Sequence, residues 1–314
     1  MIVKFWGARG SIPTPIRPDV IRKKISSVLM RAKPTDLASA DSREAFLDRL
    51  PAWLFGTVGG NTSCIEITLA DGTTVIIDAG SGIGALSADL KRRVDAPKTF
   101  HVLFSHFHYD HVQGLPFFAP AYDPRCSVTF YSPIRDLEAT LKNHMVHPYF
   151  PITMDEKMSK SLEFRTVSER EFTIGSARIS WQELNHPGRA FGYRFEENGK
   201  VFVYSSDTEL REQDFDKTRE NAAFYGDADV MVLDTQYTLG EAIEKFNWGH
   251  SSFSLGVDFA TTWNTKELYL YHHEPLYDDQ RLFRNLRSAR WYARRLGNTE
   301  LAVYLAEEGA EIQL

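Results

Sequence analysis

The sequence is poor in cysteine and has no long apolar run. Cys64 and Cys126 are the two cysteines in 314 residues. Both lie beside strand-like runs, so buried free thiols are expected rather than a disulfide. No stretch reaches the roughly 20 apolar residues of a membrane span, and the opening MIVKFWGARG lacks the apolar core of a signal peptide. A cytoplasmic location and no membrane partner are therefore expected. Positive charge is not in surplus either. A net charge of -6 gives no general attraction for nucleic acid or anionic membranes, which leaves only a local basic patch as a nucleic-acid surface. Repeats and low-complexity tracts are missing, so disorder is expected only locally. What is present is 43% hydrophobic residues with 13% aromatics, enough for a sizeable core, and an ordinary 25% of charged residues.

The chemistry concentrates in Ser105-His106-Phe107-His108-Tyr109-Asp110-His111, directly after the apolar run Val102-Leu103-Phe104. Two histidines two positions apart on an extended backbone project the same way, and the Asp and His that follow swing back as the chain turns. Imidazole and carboxylate are ligands for Zn²⁺ and similar borderline cations, and four of them within six residues can serve two ions. A histidine-rich loop without metal is the bland alternative.

Further polar residues close strand-like runs. Ile2 to Trp6 reads as a strand, ended by Gly7-Ala8-Arg9-Gly10-Ser11. That turn either simply reverses the chain or offers backbone N–H groups and Arg9 to a phosphate. Residues 17 to 55 change character: Ile21, Ile25, Val28 and Leu29, then Phe46, Leu47 and Leu50, fall at helical spacing. Two helices there would cover the core, contact a partner chain as in a homodimer, or form a lid. Leu69 and Thr74 flank Ala70-Asp71-Gly72 in a hairpin, whose second strand ends at Asp78. His144 and His147 precede the aromatic loop Pro148 to Pro151, where His147 and Tyr149 either wall a substrate pocket or are structural. His186 follows one strand, Asp207 follows the return of a hairpin turned by Asn198-Gly199, and Asp234 ends another apolar run. His186 and Asp207 would then lie at the sheet edge that carries the histidine motif. Trp248-Gly249-His250-Ser251-Ser252 opens a helical run and places His250 near a helix N-terminus. Leu268 to Tyr271 is a strand followed by His272 and His273, which point to opposite faces. The six arginines between Arg281 and Arg295 read as a solvated helix face, with a nucleic-acid patch as the minority reading.

The histidine motif, with Asp78, His186, Asp207 and His272 in order, resembles the metallo-β-lactamase superfamily. Through GGNTSC, DAGSGI, the FWGARGSIP opening and GHSS, the chain is similar to the phosphodiesterase-like branch related to tRNase Z and cyclic-phosphate phosphodiesterases. The resemblance covers essentially the whole chain. It implies a single α/β domain over residues 1–314, a four-layer αββα sandwich, from whose short form the helical insertion at about 17–55 departs. It also implies two divalent metal ions, Zn or Mn. His106, His108 and His186 would hold one, Asp110, His111 and His272 the other, and Asp207 would bridge both together with a hydroxide, with Asp110 also counted as catalytic. Asp78 would support the ligands by hydrogen bonding, and Asp234 would either orient a catalytic histidine or cap a turn. His250 would bind a phosphate oxygen or protonate a leaving group; its bland reading is a capping or core histidine. The Gly/Pro-rich arm with which tRNase Z grips tRNA has no counterpart here.

The expected function is hydrolysis of a small or cyclic phosphodiester, with His250 as general acid. Two alternatives stand beside it. The same metals could hydrolyse a lactone, thioester or β-lactam without help from His250. A non-catalytic metal-binding or protein-interaction module would instead use the helical insertion as its contact surface.

Overall fold

The computed structural model describes residues 1–158 and 161–314. Fourteen strands run in chain order: β1 (Ile2–Gly7), β2 (Cys64–Thr68), β3 (Thr74–Ile77), β4 (Thr99–Leu103), β5 (Ser127–Ser132), β6 (Leu162–Thr166), β7 (Glu171–Ile174), β8 (Ala177–Leu184), β9 (Ala190–Glu197), β10 (Lys200–Ser205), β11 (Val230–Asp234), β12 (Glu267–Tyr271), β13 (Ala302–Leu305) and β14 (Glu311–Gln313). They form two seven-stranded mixed sheets, ordered β14-β1-β2-β3-β4-β5-β6 and β13-β12-β11-β10-β9-β8-β7.

Strand alternation builds the layers. Val75 and Ile77 face the space between the sheets while Ile76 faces out; Phe202 and Tyr204 face in while Val203 faces out. Along β11, Val230 and Val232 point inward and Met231 and Leu233 outward. The period of two gives each sheet two apolar faces, so each must be covered on both sides. The inner faces pack on each other through Phe5, Ile65, Tyr193, Phe195 and Tyr271. Ile83 and Leu86 of the helix Gly82–Leu90 and Leu141 of the helix Leu137–His144 cover the first sheet outside. Val257 and Phe259 of the helix Phe253–Thr262 and Leu282, Leu286 and Ala289 of the helix Asp279–Arg295 cover the second. Three apolar layers between four layers of structure make the αββα sandwich. Each fully buried aromatic in it contributes about 1.5–3 kcal/mol by burial.

Topology places the loops that matter at one edge. β3 and β4 are parallel, as are β10, β11 and β12. β8 is antiparallel to β9, which is antiparallel to β10, so β8 also runs with that set. The C-terminal ends of these six strands therefore point the same way within their sheets, where open α/β sheets place their sites.

The segment expected to hold two helices holds four short ones: Pro18–Leu29, the 3-10 turn Pro34–Leu37, Ala40–Asp48 and Ala52–Phe55. It is pinned to the body where Lys24 Nζ reaches Asp279 Oδ2 at 2.5 Å and Asp279 Oδ1 accepts the Val58 N–H. Helix Pro18–Leu29 buries no residue, and Ile21, Ile25 and Leu29 are 42%, 55% and 65% exposed. These side chains line an open apolar groove of about 460 Å³ with Leu47, Leu50 and Leu54. Among the described residues no helix is long and apolar enough to cross a membrane.

Candidate metal centre

Three site residues stand where a strand stops and the backbone takes a left-handed turn. Asp78 follows β3 with φ 62°, Asp207 lies just past β10 with φ 58°, and His272 follows β12 with φ 58°. Positive φ in a non-glycine residue costs roughly 1–3 kcal/mol and persists where the surroundings fix it, which is common at functional sites. The turn swings each side chain back over the strand ends.

Two clusters result. In the first, His106, His108, His186 and Asp207 present one donor atom each, all within 4.8 Å of one another. His108 Nδ1 and His186 Nε2 are 3.1 Å apart, and Asp207 Oδ2 lies 3.7 Å from His106 Nε2 and 3.8 Å from His186 Nε2. In the second, Asp110, His111, Asp207 and His272 converge in the same way. Asp207 Oδ1 lies 3.1 Å from His111 Nε2 and 3.3 Å from His272 Nε2, and Asp110 Oδ2 lies 3.1 Å from His272 Nε2 and 3.5 Å from His111 Nε2. One oxygen of Asp207 thus faces each cluster.

The hydrogen bonds around the clusters aim their lone pairs inward. Asp78, fully buried, accepts the Ser105 N–H at 2.7 Å, the Ser105 hydroxyl at 2.7 Å, the Tyr204 hydroxyl at 2.8 Å and His111 Nδ1–H at 2.8 Å. His186 Nδ1–H donates to the Gly249 carbonyl at 2.9 Å, leaving Nε2 with its lone pair toward the cluster. Gly249 has φ 88°, and a Cβ there would lie 2.2 Å from His186 Nδ1, so only glycine permits this approach. The Ser11 N–H donates to Asp110 Oδ2 at 2.7 Å.

Burial lowers the pKa values of His106, His108 and His186, so these imidazoles are neutral at pH 7. Burial works to raise Asp110 and Asp207, but His111 and His272 outweigh it and hold both well below the usual carboxylate range. Burial would also depress His111 and His272, yet Asp207 and Asp110 hold His111 well above its ordinary value and raise His272 to about 9.

The donor set fits two divalent cations. Among the described residues the buried Nε2 of neutral His106 has no hydrogen-bond partner, an arrangement costly for imidazole unless a cation takes the lone pair. Tetrahedral centres with bonds of about 2.0–2.1 Å have ligand edges of about 3.3–3.4 Å, and the donor pairs above bracket that value.

A third group lies against both clusters. His250 Nδ1–H donates to Asp234 Oδ2 at 2.6 Å, and Asp234 also accepts the Thr208 and Gln236 N–H groups. The His250 ring stacks on His272 at 4.9 Å and 17° and lies 5.2 Å from His186. The helix starts later than its pattern suggests: Ser252 caps Phe253–Thr262, and His250 sits on the preceding extended segment.

Other expected contacts are not brought here. Arg9 is buried, and its guanidinium donates to the carbonyls of Gly59, Glu274 and Tyr277, bracing the loop after β12 instead of meeting a phosphate. Tyr149 is 85% exposed, and among the described residues neither it nor His147 makes a hydrogen bond or ring contact with the clusters. His273 turns away, its Nε2–H donating to the Ala306 carbonyl, while burial and Arg9 push its pKa down to about 3. The supporting roles of Ser11, Ser105 and Tyr204 were missed in the sequence. Ser105 alone carried a signal, its place at the head of the histidine motif.

Residues 73–273 match the model of the beta-lactamase superfamily domain. The chain belongs to the beta-lactamase superfamily. Solved structures of that fold align along nearly its full length. The metallo-beta-lactamase fold protein YhfI from Bacillus subtilis is 16% identical with a TM-score of 0.64, covering 99% of this chain and 98% of its own. A diphosphatase of the PhnP family is 15% identical with a TM-score of 0.64, covering 100% and 97%. Human tRNase Z, short form, is 15% identical with a TM-score of 0.59, covering 100% and 99%. No curated protein matches the sequence. At these identities the likeness is one of fold, and the superfamily domain with its His/Asp clusters is that of a metal-binding hydrolase.

Proposed function

We propose that this superfamily member is a phosphodiesterase acting on a small or cyclic phosphodiester with two divalent metal ions, Zn or Mn. The carrying observation is the Asp234–His250 pair, 2.6 Å apart and stacked beside His272. A diphosphatase and a tRNase Z among the solved relatives favour chemistry at phosphorus.

His106 Nε2, His108 Nδ1, His186 Nε2 and Asp207 would hold one ion, and Asp110, His111 Nε2, His272 Nε2 and Asp207 the other. Such ions, when bound, act as Lewis acids toward phosphoryl oxygens and make water a nucleophile near neutral pH. The protein's own groups supply orientation and the proton. Asp234 accepts Nδ1–H and so fixes the tautomer and direction of the His250 ring. As the imidazolium, with Nδ1–H still held by Asp234, His250 would give its Nε2 proton to the departing oxygen and return to neutral imidazole, a step needed most when the leaving alcohol is a poor one.

The test is hydrolysis of two diesters by metal-loaded wild type and His250→Ala, methyl 4-nitrophenyl phosphate and methyl phenyl phosphate. The variant should lose roughly 10²–10⁴-fold on the phenyl ester and much less on the nitrophenyl ester, whose leaving group needs no proton. Two bound metals with no turnover of either ester would sink the proposal and shift attention to acyl substrates.

A further inference from the structure

The expected ligands and the expected acid come from loops after different strands, yet one short segment ties them together. Asp207 faces both clusters. The Thr208 N–H donates to Asp234 Oδ2 at 3.2 Å. Glu209 exchanges backbone and side-chain bonds with Asn185, its N–H donating to the Asn185 carbonyl at 2.9 Å and its carbonyl accepting Asn185 Nδ2–H at 2.7 Å. The Ser251 hydroxyl donates to the Thr208 carbonyl at 2.6 Å and accepts the Leu210 N–H at 2.9 Å. In the segment 207–210 the one charged side chain other than Asp207 is Glu209. It is 8% exposed, and its Oε2 accepts the Gly249 N–H at 3.0 Å. Gly249 in turn gives its carbonyl to His186 Nδ1–H. Among the described residues Glu209 Oε1 has no hydrogen-bond partner, only a long ion pair with the half-exposed Arg211, whose Nη2 lies 3.8 Å away. A buried carboxylate left half-satisfied is expensive, and a stability role alone would be filled better by an apolar side chain.

We infer that Glu209 is a positioning residue: its carboxylate locks Gly249, and through Gly249 it sets both the His186 imidazole and the place of His250 against the metal centre. This rests on the proposed phosphodiesterase reading for the His250 arm and on the metal site alone for the His186 arm. The bond to Gly249 is charge-assisted, stronger than a neutral one. Without it the segment carrying Gly249 and His250 keeps the Ser251 bonds and the His250–Asp234 bond but loses the backbone anchor at Gly249, the residue that holds His186 and precedes His250. Orientation lost at a histidine that supports a ligand set typically weakens metal affinity by about 10–100-fold.

The experiment uses the full-length protein as wild type, Glu209→Gln, Glu209→Asp and Glu209→Ala. Zn²⁺ affinity is measured by competition with a chelator, and the two methyl aryl diesters above are assayed with metal saturating. Glu209→Gln keeps an oxygen for the Gly249 N–H and should stay within about threefold of wild type, a margin below the 10–100-fold range of lost support. Glu209→Asp withdraws that oxygen by one methylene. It and Glu209→Ala should weaken one of the two Zn²⁺ equivalents by about 10–100-fold. They should also lower kcat on the phenyl ester more than on the nitrophenyl ester with KM little changed, as His250→Ala does. Glu209→Asp keeps the side chain's charge and remains informative if Glu209→Ala fails to fold. Wild-type zinc affinity and a wild-type ratio of the two rates in a folded Glu209→Asp protein would overturn the inference. If wild type cleaves neither ester, the phosphodiesterase reading fails, and the zinc arm alone decides the role of Glu209.

Discussion

Asp78 carries the heaviest hydrogen-bond load of any single residue near the clusters. Its two oxygens take the N–H and hydroxyl of Ser105, the Tyr204 hydroxyl and His111 Nδ1–H inside a dry core. Asp78→Ala would strand those donors, each at about 1–3 kcal/mol, and free the His111 ring. The expected outcome is a lower Tm in thermal melts and metal affinity reduced about 10–100-fold by chelator competition. Protons bear on the two clusters differently. In the metal-free chain His272 has a pKa of about 9 and His111 is raised as well, so both are protonated at pH 7 and must give up those protons to bind a cation. His106, His108 and His186 are lowered and have none to give. Affinity at the Asp110/His111/His272 cluster should therefore rise with pH from about 6 to about 9 while the three-histidine cluster changes little. Calorimetric metal titrations in buffers of different ionisation enthalpy report this as proton release confined to one of two equivalents. Equal release at both would contradict it.

At the scale of elements, the centre depends on residues at strand ends, of which Asp78, Asp207 and His272 turn in the left-handed region. The sequence reading located these ends because period-two apolar runs each finished in an acid or a histidine: Asp78, His186, Asp207, Asp234 and His272. It could not see which backbone groups the supports would choose. Arg9 looked like a phosphate contact because it lies in a glycine-rich turn, but its guanidinium braces three carbonyls, and the same turn serves the site through the Ser11 N–H. Bonds between residues 99 or more positions apart leave no local pattern. Strand alternation says only that His272 and His273 point to opposite faces; the choice of His272 came from the family resemblance, in which the last ligand follows an LxLxH run, and the structure turns His273 Nε2 to the Ala306 carbonyl. Gly249 is the element-scale test. With φ 88° and a Cβ that would sit 2.2 Å from His186 Nδ1, Gly249→Ala should displace both His186 and His250. We expect loss of one metal equivalent by mass spectrometry and loss of diesterase activity, while circular dichroism, read mainly from the two sheets, stays near wild type.

At the scale of the whole molecule, a two-sheet body carries a helical insertion pinned to it at Asp279, with an apolar groove left open on it. Leu54 is buried at the join, and Leu54→Ala should cost about 2–5 kcal/mol in chemical denaturation. Ile25 faces the open groove, and Ile25→Ser should change stability by less than about 0.5 kcal/mol. Sedimentation of wild type and Ile25→Glu examines the homodimer contact expected of this segment, since a dimer joined there would dissociate in the variant. The strands were legible because they are short, alternating and closed by turn residues, while their assembly into a sandwich was legible only through the family resemblance that the histidine motif carries. The insertion was legible only as helices, since an apolar helical face does not say what covers it. The account stands on a centre that two metals share through Asp207. Its most direct test is metal stoichiometry and methyl phenyl phosphate hydrolysis for wild type beside Asp207→Ala. Two equivalents with metal-dependent turnover in wild type, and loss of both in the variant, is the predicted result; an Asp207→Ala protein that kept two metals and full activity would contradict it.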